Sequence, residues 1–593
     1  MSEPVFRFSP RPNRAQEIHW HEWSSEAFIR AATEQKPILL SISAVWCHWC
    51  HVMDETTYSL PTVINRINQD FIAIRVDNDQ RPDINLRYNM GGWPTTAFLT
   101  PVGEIITGGT YINPEQMQSL LDQVLQYWRD NREQIATQLA QPEPPKIDVT
   151  LSQPANAAVV KIMDQIRQQF DRAYGGLGVA PKFPQTDVWD LCLTFFTATA
   201  DGWSAGMTAR TLDAMAGGGL YDHVEGGFFR YSTTREWTIP HFEKMLEDNA
   251  LLARLYLKAF QIMGDDSYRQ VAHGVLQWAN TTLLNANGLW GGSQDADEEY
   301  YRLPKEERDK RPSPFVDPII HTNWNATMIS TQLMAAALIN PGAYAPIAMT
   351  ALEALWDRMW VPGQGLYHYD NGEKPQVLGL LTDTAALSTA LIDAYEYTGD
   401  NIFLDRTLDL LKWADEALWE NGAYQDQIHT EEGLGRLRHR QQPLPDNAAM
   451  ARSWLRLGAI LDRAEFVQRA NAILGAFSPM ADDQGIFAAA WGVVTDRAEA
   501  QPMVATIVES QTRSGSLLRQ AIYGVYDRNR IVRTWRIGSP EFEAGDYPEL
   551  PSPALYICRG TLCAAPVTDP QDLVRALQEL AGTLAGENPP TPV

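Results

Sequence analysis

The sequence predicts a multidomain fold: an α/β domain over residues 1–140, a longer helical domain over 141–593, and a small α/β element inside the latter at about 502–565. Three observations carry this. Residues 37–45 and 71–77 are short, β-branched-rich runs of the kind that form buried strands. Beyond residue 150 the apolar positions recur every three or four residues, over 156–170, 242–263, 325–337, 382–397 and 446–461, the period of a helix with one buried face. Between the two patterns lies Gln141-Pro142-Glu143-Pro144-Pro145-Lys146, a linker-like run.

The first strand ends in Trp46-Cys47-His48-Trp49-Cys50-His51. A Cys-x-x-Cys pair at a strand exit, with a helix to follow, is where a thioredoxin-type fold places its redox dithiol. The helix N-terminus beside the first sulfur lowers its pKa and makes a thiolate available near neutral pH. Three other readings use the same residues. Cys-x-x-Cys-His is also the attachment signal for c-type haem, but Met1 to Pro10 lacks the basic start and apolar core of an export signal. Cys47, Cys50, His48 and His51 could ligate zinc, which wants four ligands held tetrahedrally. Adjacent residues on a new helix point apart, and no second Cys-x-x-Cys completes a site. A buried inert pair is the fourth reading.

The downstream order supports the dithiol. Residues 71–77 alternate as a second strand, Asn85-Leu86-Arg87-Tyr88 fits a short helix, and Gly91-Gly92-Trp93-Pro94 leads into a strand closed by the turn Pro101-Val102-Gly103-Glu104. Pro94 stands where that fold carries a cis-proline facing the dithiol. The stretch 114–139 is amphipathic and ends the domain.

With these motifs in place the chain resembles the YyaL / spermatogenesis-associated protein family. The resemblance rests on Lys36-Pro37-Ile38, Cys47-His48-Trp49-Cys50-His51-Val52-Met53, Val76-Asp77, Arg81-Pro82-Asp83, Gly91-Gly92-Trp93-Pro94 and Gly108-Gly109-Thr110-Tyr111. It implies a thioredoxin-like domain followed by a long helical part. This chain departs from the pattern at Asp54-Glu55-Thr56-Thr57-Tyr58, where the family usually has an acidic residue and Ser-Phe, and its segment before Gly91 is shorter.

Composition sets the outer bounds. A chain of 593 residues holds at least two domains. A net charge of -25 opposes nucleic acid and anionic membranes as partners, and no apolar run is long enough to span a bilayer. Five cysteines (Cys47, Cys50, Cys192, Cys558 and Cys563) are too few for a disulfide scaffold, so a reducing cytoplasm is expected. Cys558 and Cys563 resemble the family's C-terminal pair and read as structural. The motifs call for no cofactor and no metal.

In the helical domain Gly-plus-aromatic, hairpin-like loops recur after roughly every second helix: residues 174–178, 219–222, 288–292, 365–367, 422–424 and 485–487. Six such loops among about a dozen helices predict six helical hairpins closed into an (α/α)6 toroid, with an open solenoid as the alternative. Near the end, 504–508, 530–536 and 554–558 read as strands around a helix at 515–526. The stretch 569–584 is expected to supply the toroid's last helix.

Candidate cleft residues lie where loops enter helices: Arg230, Tyr231, His241, Glu243, Asp248, Asp295, Asp297, Trp324, Asn325, Asp383, Asp446 and Asn447. His and paired carboxylates suit proton transfer beside a carbonyl or glycoside chemistry, and Trp faces suit sugar rings. The fold resembles that of six-hairpin glycosidases and N-acylglucosamine 2-epimerases, which fixes architecture and not activity. Asp and Asn at helix starts are also ordinary N-caps.

Two functional classes follow. In one, Cys47 is the nucleophile of a thiol–disulfide oxidoreductase or redox sensor, Cys50 resolves the mixed disulfide, His48 and Trp49 tune the thiolate, and Pro94 docks a protein dithiol/disulfide partner. In the other, the toroid binds or processes a small carbohydrate-like ligand as an epimerase, isomerase or glycoside-processing enzyme, and the N-terminal domain is structural. A non-catalytic scaffold is the third possibility.

Overall fold

The structure, a computed structural model, describes residues 6–139, 156–429, 433–510, 512, 514–545 and 547–587. The linker 141–146 lies outside them. The N-terminal domain is thioredoxin-like. Strands β1 (Trp20–His21), β2 (Ile38–Ser43), β3 (Ile72–Asp77), β4 (Thr95–Leu99) and β5 (Ile105–Gly109) form one sheet in the order β1-β3-β2-β4-β5. The first three are parallel and β4 and β5 antiparallel. β2 is buried along its whole length, as its continuous apolar run demands. Around the sheet lie α1 (Ser25–Glu34), α2 (His48–Glu55), α3 (Pro61–Asp70), α4 (Pro82–Tyr88) and α5 (Pro114–Leu139). The Trp93–Pro94 peptide is cis. Buried Asp54 on α2 pairs with Arg75 on β3 through two 2.9 Å hydrogen bonds, which ties the dithiol helix to the sheet.

The helical domain is a closed toroid. It contains α6 (Asn156–Gln169), α7 (Thr186–Thr199), α8 (Gly202–Gly217), α9 (Leu246–Met263), α10 (Asp266–Trp278), the single turns α11 (Glu298–Tyr301) and α12 (Lys305–Arg308), α13 (Thr322–Leu338), α14 (Pro341–Met359), α15 (Leu381–Thr398), α16 (Ile402–Ala417), α17 (Leu444–Ile460), α18 (Ala464–Gln484) and α19 (Ala489–Glu499). Helices α7, α9, α13, α15, α17 and α19 pack side by side, and α19 packs back on α7. Each carries an outer helix: α8, α10, α14, α16, α18 and, behind α19, α6. Inner helices α13, α15 and α17 bury most of their residues, polar ones included. α15, for example, buries fifteen of its eighteen residues.

Two expectations are corrected here. The last outer helix is α6, the first of the domain, and not 569–584. Helix Leu573–Glu587 instead packs its Leu573, Ala576 and Leu580 on the small C-terminal sheet, where apolar residues of that sheet supply the buried face it needs. The loop at 485–487 is no hairpin but a 3-10 turn, Gly485–Ala488, running straight into α19.

Two of the repeated loops work alike. Asp171 and Asp222 each open an Asp-x-x-x-Gly-Gly turn. In the first, Lys182 Nζ donates to Asp171 and to the Gly175 carbonyl; in the second, Lys244 Nζ donates to Asp222 and to the Gly226 carbonyl. The second glycine of each turn has positive φ, and an added Cβ would fall 2.5 Å from the Trp237 ring at Gly176 and 2.8 Å from Trp278 at Gly227. A second device recurs at Asn249, Asn325 and Asn447, each on the fourth residue of an inner helix. Each side-chain amide accepts from the backbone N–H and donates to the carbonyl of one loop residue: Phe228, Trp290 and Tyr424.

The toroid is capped at both ends. Strand Met503–Glu509 pairs in parallel with Arg530–Arg536 and antiparallel with Ala554–Arg559, which continues into Leu562–Cys563. Cys558 and Cys563 are cross-strand partners joined as a disulfide. This sheet rests on the C-terminal half of α15, where Thr534 N–H donates to Tyr395 Oη. The thioredoxin-like domain covers the other end. Buried Arg87 on α4 reaches Asp426 at 2.7 Å and the His439 carbonyl at 2.8 Å. A Cβ on Gly103 would lie 2.4 Å from Gly435 Cα, so the two backbones meet directly.

The clasps predict a stability effect. Asn325→Ala leaves the Trp290 N–H and the Trp290 and His321 carbonyls without their buried partner. At about 1 kcal/mol per buried bond, denaturant unfolding is expected to show a loss of about 3 kcal/mol. A loss under about 0.5 kcal/mol would mean the clasp is dispensable.

Candidate functional site

The N-termini of the inner helices point at the thioredoxin-like domain, and a cleft of about 420 Å³ lies between. The thioredoxin-like side supplies Trp46, Asp79 and Trp93. The toroid side supplies Arg230 from the loop before α9, Glu247 and Asp248 from its first turn, Trp324 from α13, His368 from the strand Gly365–Asp370, and Asp446 from α17.

Arg230 joins the two sides. Its guanidinium lies 3.9 Å from the centre of the Trp46 ring and 5.0 Å from that of Trp93. Trp46 donates its indole N–H to Asp79 at 2.6 Å. The Asp79 carbonyl lies 2.8 Å from His368 Nε2, and His368 Nδ1 is 2.9 Å from Asp383, which also accepts from Asn323 N–H. A buried chain thus runs from the residue before Cys47 to α15.

The electrostatics favour protons on the carboxyl groups. Burial, reinforced by Asp248, Asp79, Asp446 and Asp187, pushes Glu247 up to about 8. Burial outweighs the nearby Arg230 and raises Asp248 to about 6. Asp446 goes up to about 7 by burial and the charge of Asp383. Asp79 is raised by burial, against the hydrogen bond from Trp46. For His368, burial works against the charged ring, but the charge and hydrogen bond of Asp383 prevail and its pKa is raised.

The dithiol lies beside this cleft. Cys47 is the N-cap of α2, its sulfur accepts the Cys50 N–H at 3.2 Å, and the two cysteines form a disulfide. Cys47 and Cys50 are only 4 % and 2 % exposed, because they belong to the same apolar cluster as the toroid core. His48 stands 6.4 Å, ring to ring, from His241, whose Nδ1 is 3.1 Å from buried Glu243. Trp49 faces solvent against Tyr111, and Pro94 is buried. The face that the sequence assigns to an extended partner chain is covered by the toroid.

Of the residues expected in the cleft, Arg230, Asp248, Trp324 and Asp446 line it, and Asp383 stands behind His368. Tyr231 stacks on His241 and Phe183. Four others are held elsewhere. Asn325 and Asn447 are spent on the loop clasps, and exposed Asp297 caps α11 by accepting from Tyr300 N–H. Asp295 is buried beside the cleft rather than in its wall, and burial raises it to about 7. Sequence reasoning missed Asp79, Glu247 and His368. Glu247 stood next to Asp248 at the same helix start. His368 lies in a strand with no local signature.

Fold and site together define a thioredoxin-like domain seated on an (α/α)6 toroid with a shared cleft. Residues 11–143 match the family model Thioredox_DsbH, described as a protein of unknown function, DUF255. The chain is similar to the spermatogenesis-associated proteins along nearly its whole length, as its motifs imply. It is 26% identical to spermatogenesis-associated protein 20 of Homo sapiens over 94% of this chain and 90% of that protein. It is also 26% identical to the uncharacterized protein B0495.5 of Caenorhabditis elegans over 95% and 94%. Among solved structures, a sugar epimerase from a ruminal bacterium is 12% identical with a TM-score of 0.46, covering 54% of this chain and 86% of that one. An unsaturated glucuronyl hydrolase specific for heparin is 11% identical with a TM-score of 0.43, covering 58% and 95%. At these identities the likeness is one of backbone alone.

The raised carboxyl groups predict a pH dependence. Folded Glu247 keeps its proton up to about 8, whereas the unfolded chain loses it above about 4.5. Its contribution to stability is full below the lower value and is lost as pH rises through the upper one. The melting temperature is expected to fall between pH 5.5 and 8.5, and Glu247→Gln, which stays neutral, to flatten that fall. An unchanged slope in the variant would show that Glu247 is ionised throughout.

Proposed function

We propose that the cleft binds a small polyhydroxylated, carbohydrate-like molecule and that the Cys47–Cys50 pair is a redox sensor coupled to it. One observation carries this reading: the residue preceding Cys47, Trp46, is itself a wall of the cleft, held there by Arg230 and Asp79. Indole faces of Trp46, Trp93 and Trp324 suit the C–H faces of a sugar ring. Arg230 and the carboxyl groups suit its hydroxyls. A protonated Glu247 beside a more acidic Asp248 provides one group able to give a proton and one able to take it near neutral pH. That pairing serves epimerisation or glycoside chemistry alike. Because the cysteines are covered by the toroid, their redox change is felt first by the cleft.

The test is a titration of oxidised and reduced protein with a panel of mono- and disaccharides, read by tryptophan fluorescence. Saturable binding is expected, weakened at least tenfold in Arg230→Ala. Reduction, or Cys47→Ser, is expected to shift the dissociation constant about fivefold, a coupling of about 1 kcal/mol. If no saccharide binds and the reduced protein instead reduces a protein disulfide in a Cys47-dependent way, the oxidoreductase reading replaces this one.

A further inference from the structure

A second cavity, of about 140 Å³, lies in the toroid, among the middle and C-terminal parts of α9, α13, α15, α17 and α19 and the first turns of α7. Its walls carry Arg254 and Lys258 from α9, Arg452 and Arg456 from α17, and Arg497 from α19; Tyr523, Tyr526 and Arg530 of the C-terminal cap close its floor. The acids in its wall are already engaged. Asp190 pairs with Lys258, Asp393 and Glu396 pair with Arg456, Glu396 also meets Arg530, and Asp527 meets Arg559. Asp187 remains, and burial together with Asp190 raises it to about 6. Among the described residues, Arg254, Arg452 and Arg497 make no close ion pair of their own and only share the charges of Asp190, Asp393 and Glu396.

Three buried nitrogens in the lining lack any hydrogen-bond acceptor: Nε of Arg452, Nε of Arg530, and Nη1 of Arg456, whose side chain is 3 % exposed. Arg452 is held well below the usual arginine range, by burial first and then by the charges of Arg497, Arg254 and Arg456. Several guanidinium groups pressed together in a half-enclosed space repel one another. An entering anion would relieve that repulsion, and planar guanidinium donors match the oxygens of a tetrahedral oxyanion. The cavity also adjoins the cleft through a third pocket. It shares Asp187 and Leu251 with an intermediate pocket, and that pocket shares Arg230 and Asp248 with the cleft.

We propose that this cavity is a binding site for a phosphate dianion, either free inorganic phosphate or the phosphate of a small phosphomonoester, held by Arg254, Arg452 and Arg497. The site is independent of the saccharide reading, because its residues are not those of the cleft.

The experiment is calorimetric titration of the full chain, in phosphate-free buffer at constant ionic strength, with inorganic phosphate, glycerol 3-phosphate and sodium chloride, alongside thermal melts. Saturable heat with phosphate or the ester, and none with chloride, is expected. The melting temperature should rise as either ligand saturates. Tighter binding of glycerol 3-phosphate would identify a phosphomonoester site, and equal binding a free-anion site. Arg452→Met and Arg254→Met should each weaken binding at least tenfold and, in phosphate-free buffer, melt no lower than the wild type. If neither phosphate species binds the wild type more than chloride does, the proposal falls. It also falls if the variants bind undiminished, or if they melt lower by the same amount with and without phosphate, since the arginines would then only balance the helix C-termini. Should a variant fail to fold, the wild-type titration still decides.

Discussion

The carboxyl groups of the cleft are subject to two opposed forces. Glu247, Asp248, Asp383 and Asp446 sit in the first turns of inner helices, where the helix dipole favours negative charge. The thioredoxin-like domain covers those same turns, and the resulting desolvation disfavours charge. For Glu247 burial prevails, and the group holds a proton where an exposed glutamate would not. The chemistry available in the cleft therefore depends on the domain above it staying in place. Buried Arg87 and Asp426 and the Arg230 contact with two tryptophans are what keep it there.

The same docking changes the meaning of the Cys-x-x-Cys motif. In an isolated thioredoxin-like domain the N-cap cysteine looks onto solvent and an incoming polypeptide. Here Cys47 is buried in the apolar cluster of the toroid core, and the neighbouring His48 faces His241 of the toroid. A local sequence motif specifies local geometry, namely a strand exit, a helix N-cap and a facing cis-proline. It does not specify what packs against that geometry from several hundred residues away.

This difference between local and long-range information explains what the sequence revealed. The strand at 38–43, the dithiol helix, the cis peptide before Pro94 and the long helices are encoded in short windows of periodicity and turn chemistry, and were readable from them. The toroid was legible through its repeated Gly-plus-aromatic loops. Its closure was misassigned at one helix, because 569–584 and α6 are equally amphipathic and only three-dimensional packing decides which one backs α19. In the cleft, residues at helix starts were visible as a class, but Asn325 and Asn447 looked the same as Asp248 and Asp446. What separates them is whether the side chain turns back to its own loop or forward into the opening. His368 and Asp79 had no signature at all, since each acquires its place through a contact between domains.

Closure of the ring by α6 has a consequence for how the molecule is made. The partner of α6 is α19, and nearly all of the toroid's sequence lies between them. On a ribosome the first helix of the domain emerges long before the surface that covers it, and its apolar face, with Val159, Ile162, Met163 and Ile166, waits in solvent until the last inner helix is complete. Contacts of such high sequence separation are slow to form, and surface left exposed meanwhile attracts wrong partners. A chain interrupted anywhere before α19 would lack more than one helix: it would be an open arc with two raw edges, in which the arginine cavity lacks its last wall.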